Sequence, residues 1–465
     1  MTTGATTGAT TGEPAGGDLP AGLLAWVGQV AGAPVVSAVR RPGGARHEAW
    51  LVDVQPPGGE VRLLFLRYDR SDPAVTGDPF TLHREACFYR GLQGVLPLPE
   101  VLGVHPVEQA VLFTRVAGET WFSRLTDEPQ RIAVARDFMG HLAALHRVDP
   151  HAVAVPGQDP DAPLPVLVHR ELDTWEALFR FWKGVDPLVE FALRWLRSHV
   201  PAALGPVVVV QGDTGPGNFL YADGQVTAVL DWELAHFGDP HDDLGWVALR
   251  AVQEPFTTLT ERLADYSAAS GREIDPVRLR FYRVFAEFRV VVLSAAGAEH
   301  TDPLGEIGNG LIYGQLHRRL LVEALAEYGG HPLEQPPALV ADRTDREWLY
   351  TAALGQLREV IVPRSDDPLV LQRSKGLARV LKFLAEADRY AAAADAQHLA
   401  DLTDLLGMPV AGLHAGDALL IDALQGDALT EAELIGFFSR QVARETALRR
   451  TAMGALADRH FDPLA

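Results

Sequence analysis

The sequence predicts an α+β fold, with strands near the N-terminus and helices through most of the remaining chain. From Pro129 onward, apolar residues recur at intervals of three and four, and this spacing indicates helices with one buried face. Residues 207–230 contain two short apolar runs separated by a tight turn, which predicts a hairpin. Three segments rich in β-branched and aromatic residues predict strands, at residues 35–40, 50–54 and 61–68.

Composition limits the class of protein. A chain of 465 residues is too long for one ordinary domain and suggests about three units. The formal charge of −20 and the pI near 5.2 argue against nucleic acids and anionic membrane surfaces as partners, because both need a basic protein face. The single cysteine, Cys87, permits no internal disulfide, which favours a reducing compartment.

The N-terminal stretch repeats threonine and glycine and contains few apolar side chains. Residues 1–17 are therefore predicted to be disordered. This stretch lacks the basic and apolar regions of a signal peptide, and no run in the chain is long and apolar enough to cross a membrane. We expect a cytoplasmic protein with no membrane partner.

Residues 18–116 are predicted to form a first lobe with a glycine-containing turn. Gly43, Gly44 and Arg46 lie between the first two predicted strands. Glycine lets backbone N–H groups approach phosphate oxygens without a Cβ in the way, and Arg46 is a candidate for a charged phosphate contact. A hairpin turn with no ligand is the alternative.

The same lobe contains a candidate ion pair. Arg67 ends the third predicted strand, and Glu85 lies in the first turns of a helix predicted over residues 82–92. A cation on a strand, paired with an acid on a neighbouring helix, can hold the α- and β-phosphates of a nucleotide. Taken alone, the two residues would favour a surface ion pair, and the motif further along the chain favours the phosphate-binding role.

The predicted hairpin, in which residues 218–221 pair with residues 226–230, determines where two polar side chains lie. If the Asp-Gly pair at 223–224 is the loop, Asn218 lies opposite Val229, and Asp231 lies two residues further on the same side. Asn218 and Asp231 are then diagonal neighbours about 7–8 Å apart. An amide and a carboxylate at this separation can share one Mg²⁺, with phosphate and water completing its shell.

Asp213 precedes Asn218 by five residues on a loop rich in glycine and proline. Such a loop is free to face a substrate. The spacing is that of phosphoryl-transfer loops, in which the aspartate accepts a hydroxyl proton and the asparagine holds metal.

Three stretches together resemble the aminoglycoside phosphotransferase and choline kinase-like family: QGDTGPGNFL, VLDWELAHFGDP and DDLGW. The most similar branch contains small-molecule kinases related to those fused to acyl-CoA dehydrogenases. The resemblance implies a protein-kinase-like, two-lobed fold that phosphorylates a hydroxyl with ATP or GTP and Mg²⁺. It implies Asp213 as the catalytic acid, Asn218 and Asp231 as metal ligands, and Asp239 and Asp243 as structural acids.

The resemblance also identifies a hinge at residues 111–118, where the backbone from Thr114 to Val116 would meet the adenine edge. Arg67 replaces the usual lysine. Gln211 replaces the histidine that normally begins the catalytic loop, and its amide can likewise donate and accept hydrogen bonds.

The remaining chain is predicted to contain a second lobe at residues 117–330, a linker at 331–343 and a helical domain at 344–465. Glycines that stop a helix and prolines that prevent its resumption indicate the linker. The last domain carries no recognisable chemistry. We expect it to mediate homodimerisation or docking to a partner enzyme, or to act as a lid.

The sequence therefore predicts a kinase of a small-molecule alcohol. A hydroxyacid, its CoA thioester or another secondary alcohol is favoured as acceptor. An aminoglycoside-type antibiotic kinase is one alternative. A nucleotide-binding pseudokinase or scaffold is the other, suggested by Gln211 and the additional helical domain.

Overall fold

The structure is a computed structural model, and it describes most of the chain. The predicted disordered tail at 1–17 and the turn residues Gly43, Gly44 and Arg46 lie outside the described residues. For residues 295–299 the backbone alone is described. The described ranges are 19–41, 47–71, 78–182, 186–202, 205–299, 306–426 and 428–464.

A five-stranded antiparallel sheet forms the N-terminal lobe, in the spatial order β1-β2-β3-β5-β4. The three strands predicted at 35–40, 50–54 and 61–68 are confirmed as β1, β2 and β3. The strands are β1 (Val35–Arg41), β2 (Glu48–Val54), β3 (Arg62–Asp69), β4 (Val101–Val104) and β5 (Gln109–Thr114).

Two helices cover the two faces of this sheet. Buried side chains of helix α1 (Ala21–Ala31) belong to the same apolar cluster as Leu64 and Leu66 of β3. Helix α2 (Leu82–Gly91) lies on the opposite face, and Arg67 of β3 contacts it. Because alternate strand residues point to opposite faces, the arginine of β3 faces α2 and the second lobe while its leucine neighbours build the core.

The predicted hairpin is confirmed, but its register differs from the prediction. Asp223 and Gly224 have φ values of +50° and +79°, as a type I′ turn requires. Strand β7 (Phe219–Ala222) pairs with β8 (Gln225–Val229). The short strand β6 (Val208–Val210) instead pairs with β9 (His236–Gly238).

The predicted pairing of Asn218 with Val229 is wrong. Phe219 lies opposite Val229, because the register shifts between Leu220 and Tyr221, as at a β-bulge. The backbone carbonyl of Asn218 instead accepts the N–H of Leu230, the residue after Val229, at 2.8 Å. Asn218 therefore still lies beside the chain that leads into Asp231.

Helices form most of the second lobe, as predicted from the apolar periodicity. Their side chains build one apolar cluster that includes Phe219, Val229 and Phe237 of β7, β8 and β9. A second cluster includes Leu234, which lies between β8 and β9. The helices are α3 (Glu128–Leu145), α4 (Leu164–Trp182), α5 (Pro187–Ser198), α6 (Pro240–Gln253), α7 (Leu259–Ser270), α8 (Pro276–Glu299) and α9 (Ile307–Gly329).

The C-terminal region is helical and shares its core with the second lobe. Phe438 stacks on Phe191 of α5, with ring centroids 5.6 Å apart, and belongs to the same apolar cluster as Leu321 and Leu325 of α9. The division of the chain into domains remains a prediction. The helices are α10 (Glu347–Gln356), α11 (Pro368–Leu406), α12 (Leu413–Leu424) and α13 (Glu431–Met453).

Throughout the described ranges, no helix is both long enough and apolar enough to cross a membrane.

Candidate active site

The loop between β6 and β7 is folded around one buried carboxylate. Asp243, near the start of α6, accepts the backbone N–H groups of Gln211 at 3.0 Å and Gly212 at 2.9 Å. Gly212 has a φ of +83°, and a Cβ at this position would lie 2.5 Å from the carbonyl oxygen of Leu234. Only glycine fits here, and the tight turn presents the next residue, Asp213, at the surface of the loop.

Gln211 fixes this loop to the chain after β8. Its Nε2 donates to the carbonyl oxygens of Leu230 at 2.9 Å and Asp231 at 2.6 Å. Its Oε1 accepts the backbone N–H of Asp213 at 3.1 Å. One buried amide therefore joins the backbone of the candidate catalytic aspartate to that of a candidate metal ligand.

Asp213 is held by two neighbouring side chains. Asn218 Nδ2 donates to the Asp213 carboxylate and to its carbonyl oxygen, both at 2.7 Å. Arg250 of α6 contacts both carboxylate oxygens, with Nε 2.7 Å from Oδ1. Burial raises the pKa of Asp213 to about 6, although the Arg250 guanidinium opposes the rise. The group is therefore an ionised and weakly basic carboxylate at neutral pH.

Asp231 follows β8 and turns the chain away from the sheet. Its φ is +60°, a conformation uncommon for residues other than glycine and best tolerated by Asn and Asp. Such strained positions often occur at functional sites. Burial and the neighbouring Glu233 raise the pKa of Asp231, while Arg67 opposes them.

Arg67 is the centre of the charge network on the sheet side of the site. Its Nη1 is 2.6 Å from Glu85 Oε1 and 3.3 Å from Asp231 Oδ1. Its Nη2 contacts His47 at 3.0 Å and Glu233 at 3.4 Å. Burial raises the pKa of Glu85, and the Arg67 charge opposes that rise. The guanidinium therefore joins β3, α2 and the chain after β8.

The predicted hinge lies where β5 ends and the second lobe begins. The N–H of Thr114 donates to the Glu100 carbonyl at 3.0 Å, so this amide is already used by the protein. Within the described ranges, the backbone of Val116 makes no hydrogen bond to another backbone group. A Cβ at Gly118 would lie 2.8 Å from the Leu220 side chain, so glycine lets the hinge pass close to β7.

The sequence model of the phosphotransferase enzyme family, APH, matches residues 39–282, just over half of the chain. The chain belongs to this family. The match includes strands β2 to β5 of the sheet, the catalytic-loop hairpin and the acids of α6, and the family predicted from the sequence is thereby confirmed. Membership supports a kinase-type enzyme.

Two curated relatives each match a short part of this chain. Acyl-CoA dehydrogenase family member 10 of Mus musculus is 30% identical over 113 residues, which are 23% of this chain and 10% of the relative. Member 11 of Rattus norvegicus is 28% identical over 123 residues, or 26% of this chain and 15% of that protein. The chain thus spans a small fraction of the length of these relatives.

A solved structure shows the same fold. A protein assigned as an aminoglycoside phosphotransferase from Ralstonia eutropha JMP134 superposes with a TM-score of 0.52 and 20% identity. The superposition covers 66% of this chain and 97% of that structure. It confirms the predicted two-lobed, kinase-like fold.

Arg250 is the main site residue that the sequence analysis missed. It lies seven residues after Asp243 on α6, so both side chains point to the same face of the helix, toward the loop. A Cβ at Gly215 would lie 2.7 Å from the Arg250 Cβ, and the glycine therefore leaves room for the arginine to reach Asp213. The spacing from Asp243 and the glycines of the loop were the available signals.

Proposed function

We propose that this phosphotransferase moves the γ-phosphoryl group of a Mg-nucleoside triphosphate, ATP or GTP, to a hydroxyl of a small molecule. One observation carries the proposal. Asp213, Asn218, Asp231 and Arg67 belong to a single network of hydrogen bonds and ion pairs at the junction of the two lobes. This arrangement supports positioning and charge stabilisation, which supply most of the rate in phosphoryl transfer.

Asp213 is proposed to orient the acceptor hydroxyl and accept its proton. Its side chain is 15% exposed, so an acceptor can approach the carboxylate while Arg250 and Asn218 fix its plane. A carboxylate with a pKa of about 6 is ionised at neutral pH, as a proton acceptor must be.

The chemistry of the remaining oxygens fits a magnesium ion. None of the described residues donates a hydrogen bond to Asn218 Oδ1 or Asp231 Oδ2, so both are available as ligands. The described ranges hold no cluster of three or more His, Cys, Asp or Glu side chains suited to a metal. Mg²⁺ commonly takes one or two protein oxygens and completes its shell with phosphate and water. When bound, it would neutralise charge on the transferred phosphoryl group.

For the nucleotide, we propose that Arg67, braced by Glu85, contacts the phosphates and that the Val116 backbone meets the base. Thr114, whose N–H already donates to the Glu100 carbonyl, would lie beside the base at the start of the hinge. The roles of Gly43, Gly44 and Arg46 as a phosphate-binding turn remain predictions.

We propose a hydroxyacid, a hydroxyacyl-CoA or another secondary alcohol as the acceptor. This choice is supported by the similarity to acyl-CoA dehydrogenase family members 10 and 11. We also propose that the C-terminal helices bind a second copy or a partner enzyme. Several large apolar side chains of this region are exposed, among them Trp348 at 67%.

A matched pair of variants tests the proposed reaction. Phosphoryl transfer from Mg-ATP and Mg-GTP is measured over a panel of hydroxyacids, hydroxyacyl-CoAs and aminoglycosides. Asp213→Asn should lower kcat by about 10²- to 10⁴-fold. Asp223→Asn is the control, because Asp223 is exposed in the hairpin turn and asparagine tolerates its positive φ. Equal activity of Asp213→Asn and the wild type would exclude the assigned role.

A further inference from the structure

The C-terminal segment, residues 454–464, contacts the last turn of α6. Arg459 Nη1 donates to the carbonyl oxygen of Val252 at 3.1 Å and also to that of Gln253. The last carbonyls of a helix lack partners within the helix, and a cation is favourable at this end. Arg459 therefore caps the helix that carries Arg250.

This segment is itself fastened to the second lobe. Arg319 of α9 donates to the carbonyl oxygens of Leu456 at 3.3 Å, and to those of Ala457 and Arg459. Further along, Arg280 of α8 donates to the Leu464 carbonyl at 3.2 Å. The segment is thus anchored on both sides of Arg459, so the arginine is held against α6 by several independent contacts.

Gln253 is held at its side chain as well as at its carbonyl. Its Nε2 lies 2.7 Å from His317 Nε2, and His317 Nδ1 lies 2.7 Å from Glu287 Oε2. With the ring proton on Nδ1, His317 donates to the Glu287 carboxylate and accepts from the Gln253 amide through Nε2. Both residues are buried, with His317 1% and Glu287 0% exposed.

The orientation of the Gln253 amide leads to the active site. With Nε2 directed at His317, Oε1 faces Arg250, whose Nη1 is 3.5 Å away. Arg250 in turn contacts both carboxylate oxygens of Asp213. The contacts form a continuous path from Arg459 through Gln253 and Arg250 to Asp213.

We propose that Arg459 is a positioning residue for Asp213. By holding the last turn of α6, it sets the place of Gln253 and Arg250, and these set the position of the Asp213 carboxylate. The inference rests on the proposed function, since Asp213 is its target. The C-terminal region is then part of the catalytic apparatus in addition to any docking role.

The experiment uses the full chain and compares Arg459→Gln with Arg450→Gln. Arg450 lies beside the same segment, and its side chain pairs with Asp458 at 2.8 Å at the protein surface. Hydrogen–deuterium exchange is measured for the loop amides at residues 211–219. Arg459→Gln should speed their exchange by about five- to thirtyfold, whereas Arg450→Gln should match the wild type. With a working acceptor, kcat should fall by about tenfold while the KM for Mg-ATP is unchanged.

A second variant covers the case in which Arg459→Gln unfolds. Gln253→Met preserves the length of the side chain but removes both polar ends, and it should produce the same local change at residues 211–219. Unchanged loop exchange in Gln253→Met, or in a folded Arg459→Gln, would overturn the positioning role. Failure of the wild type to phosphorylate any acceptor would count against the proposed function, and the exchange data would still decide the role of Arg459.

Discussion

Replacing Gln211 with alanine removes the amide that joins the catalytic loop to the chain after β8. The carbonyls of Leu230 and Asp231 lose a donor, and the N–H of Asp213 loses its acceptor. A buried polar group without a partner costs about 1–3 kcal/mol. Because the Asp231 side chain is 34% exposed, water can reach part of this region. We therefore take about 1 kcal/mol for each of the three groups and expect the free energy of unfolding to fall by about 3 kcal/mol.

Gln211→His tests whether the loss of stability comes from the missing hydrogen bonds or from the smaller volume of the alanine side chain. A neutral imidazole offers one donor and one acceptor, so it can serve the Asp213 N–H and only one of the two carbonyls. We expect a loss of about 1 kcal/mol for this variant. Urea denaturation measures both values, and Gln130→Ala on the exposed surface of α3 should stay within about 0.5 kcal/mol of the wild type. A Gln211→Ala variant as stable as Gln130→Ala would refute the reasoning.

Three further tests concern the site and its support. Burial of Asp242 favours its neutral form, but the Arg289 guanidinium, 2.6 Å away, holds the pKa of Asp242 at about 2. Because this pKa is below that of an unfolded aspartate, the pair stabilises the fold at neutral pH. That contribution to the free energy of unfolding should be lost as pH falls from about 4 toward 2. Asp242→Asn removes the nearer of the two carboxylates that pair with the buried Arg289 and leaves Glu171 at 3.7 Å. The free energy of unfolding should fall by about 3 kcal/mol, as measured by urea denaturation. Gly212→Ala should lower the free energy of unfolding by more than about 2 kcal/mol, because the position has a positive φ and the added Cβ would collide with the Leu234 carbonyl. Gly140→Ala in helix α3 is the control, because its Cβ would meet nothing within 4 Å. It should not lower the free energy of unfolding. Because the pKa of Asp213 is raised to about 6, the transfer rate should be flat above that pH and fall tenfold per unit below it, as pH–rate profiles would show.

The elements with strong local signals could be predicted from the sequence. The Asp-Gly turn requires positive φ at both residues, and the strands around it follow from that requirement. The bulge in this hairpin had no local signal. Thr227, the residue left unpaired by the register shift, donates from Oγ1 to the Ala117 carbonyl at 3.0 Å. The register therefore depends on a contact with the hinge, which the hairpin sequence alone does not contain.

In the candidate site, too, the residues that depend on contacts distant in the chain could not be predicted. Arg67 and Glu85 could be predicted because a cation on a strand and an acid on the following helix match a known phosphate-holding pattern, and the catalytic-loop motif further along the chain favoured that function. Arg250 and Arg459 act through residues far away in the chain, and their contacts exist only once α6, α9 and the C-terminal segment have packed. Their partners follow from tertiary structure, which helix periodicity does not specify.

The stacking of Phe438 on Phe191 has a consequence for synthesis of the chain. When the ribosome has made residues 39–282, which correspond to the family match, α5 has emerged but its cover, α13, has not yet been translated. The nascent second lobe therefore displays an apolar surface until Phe438 has been made, and chaperones and proteases recognise such surfaces. A chain that stops before α13 would keep this apolar surface exposed and would be prone to aggregation and proteolysis.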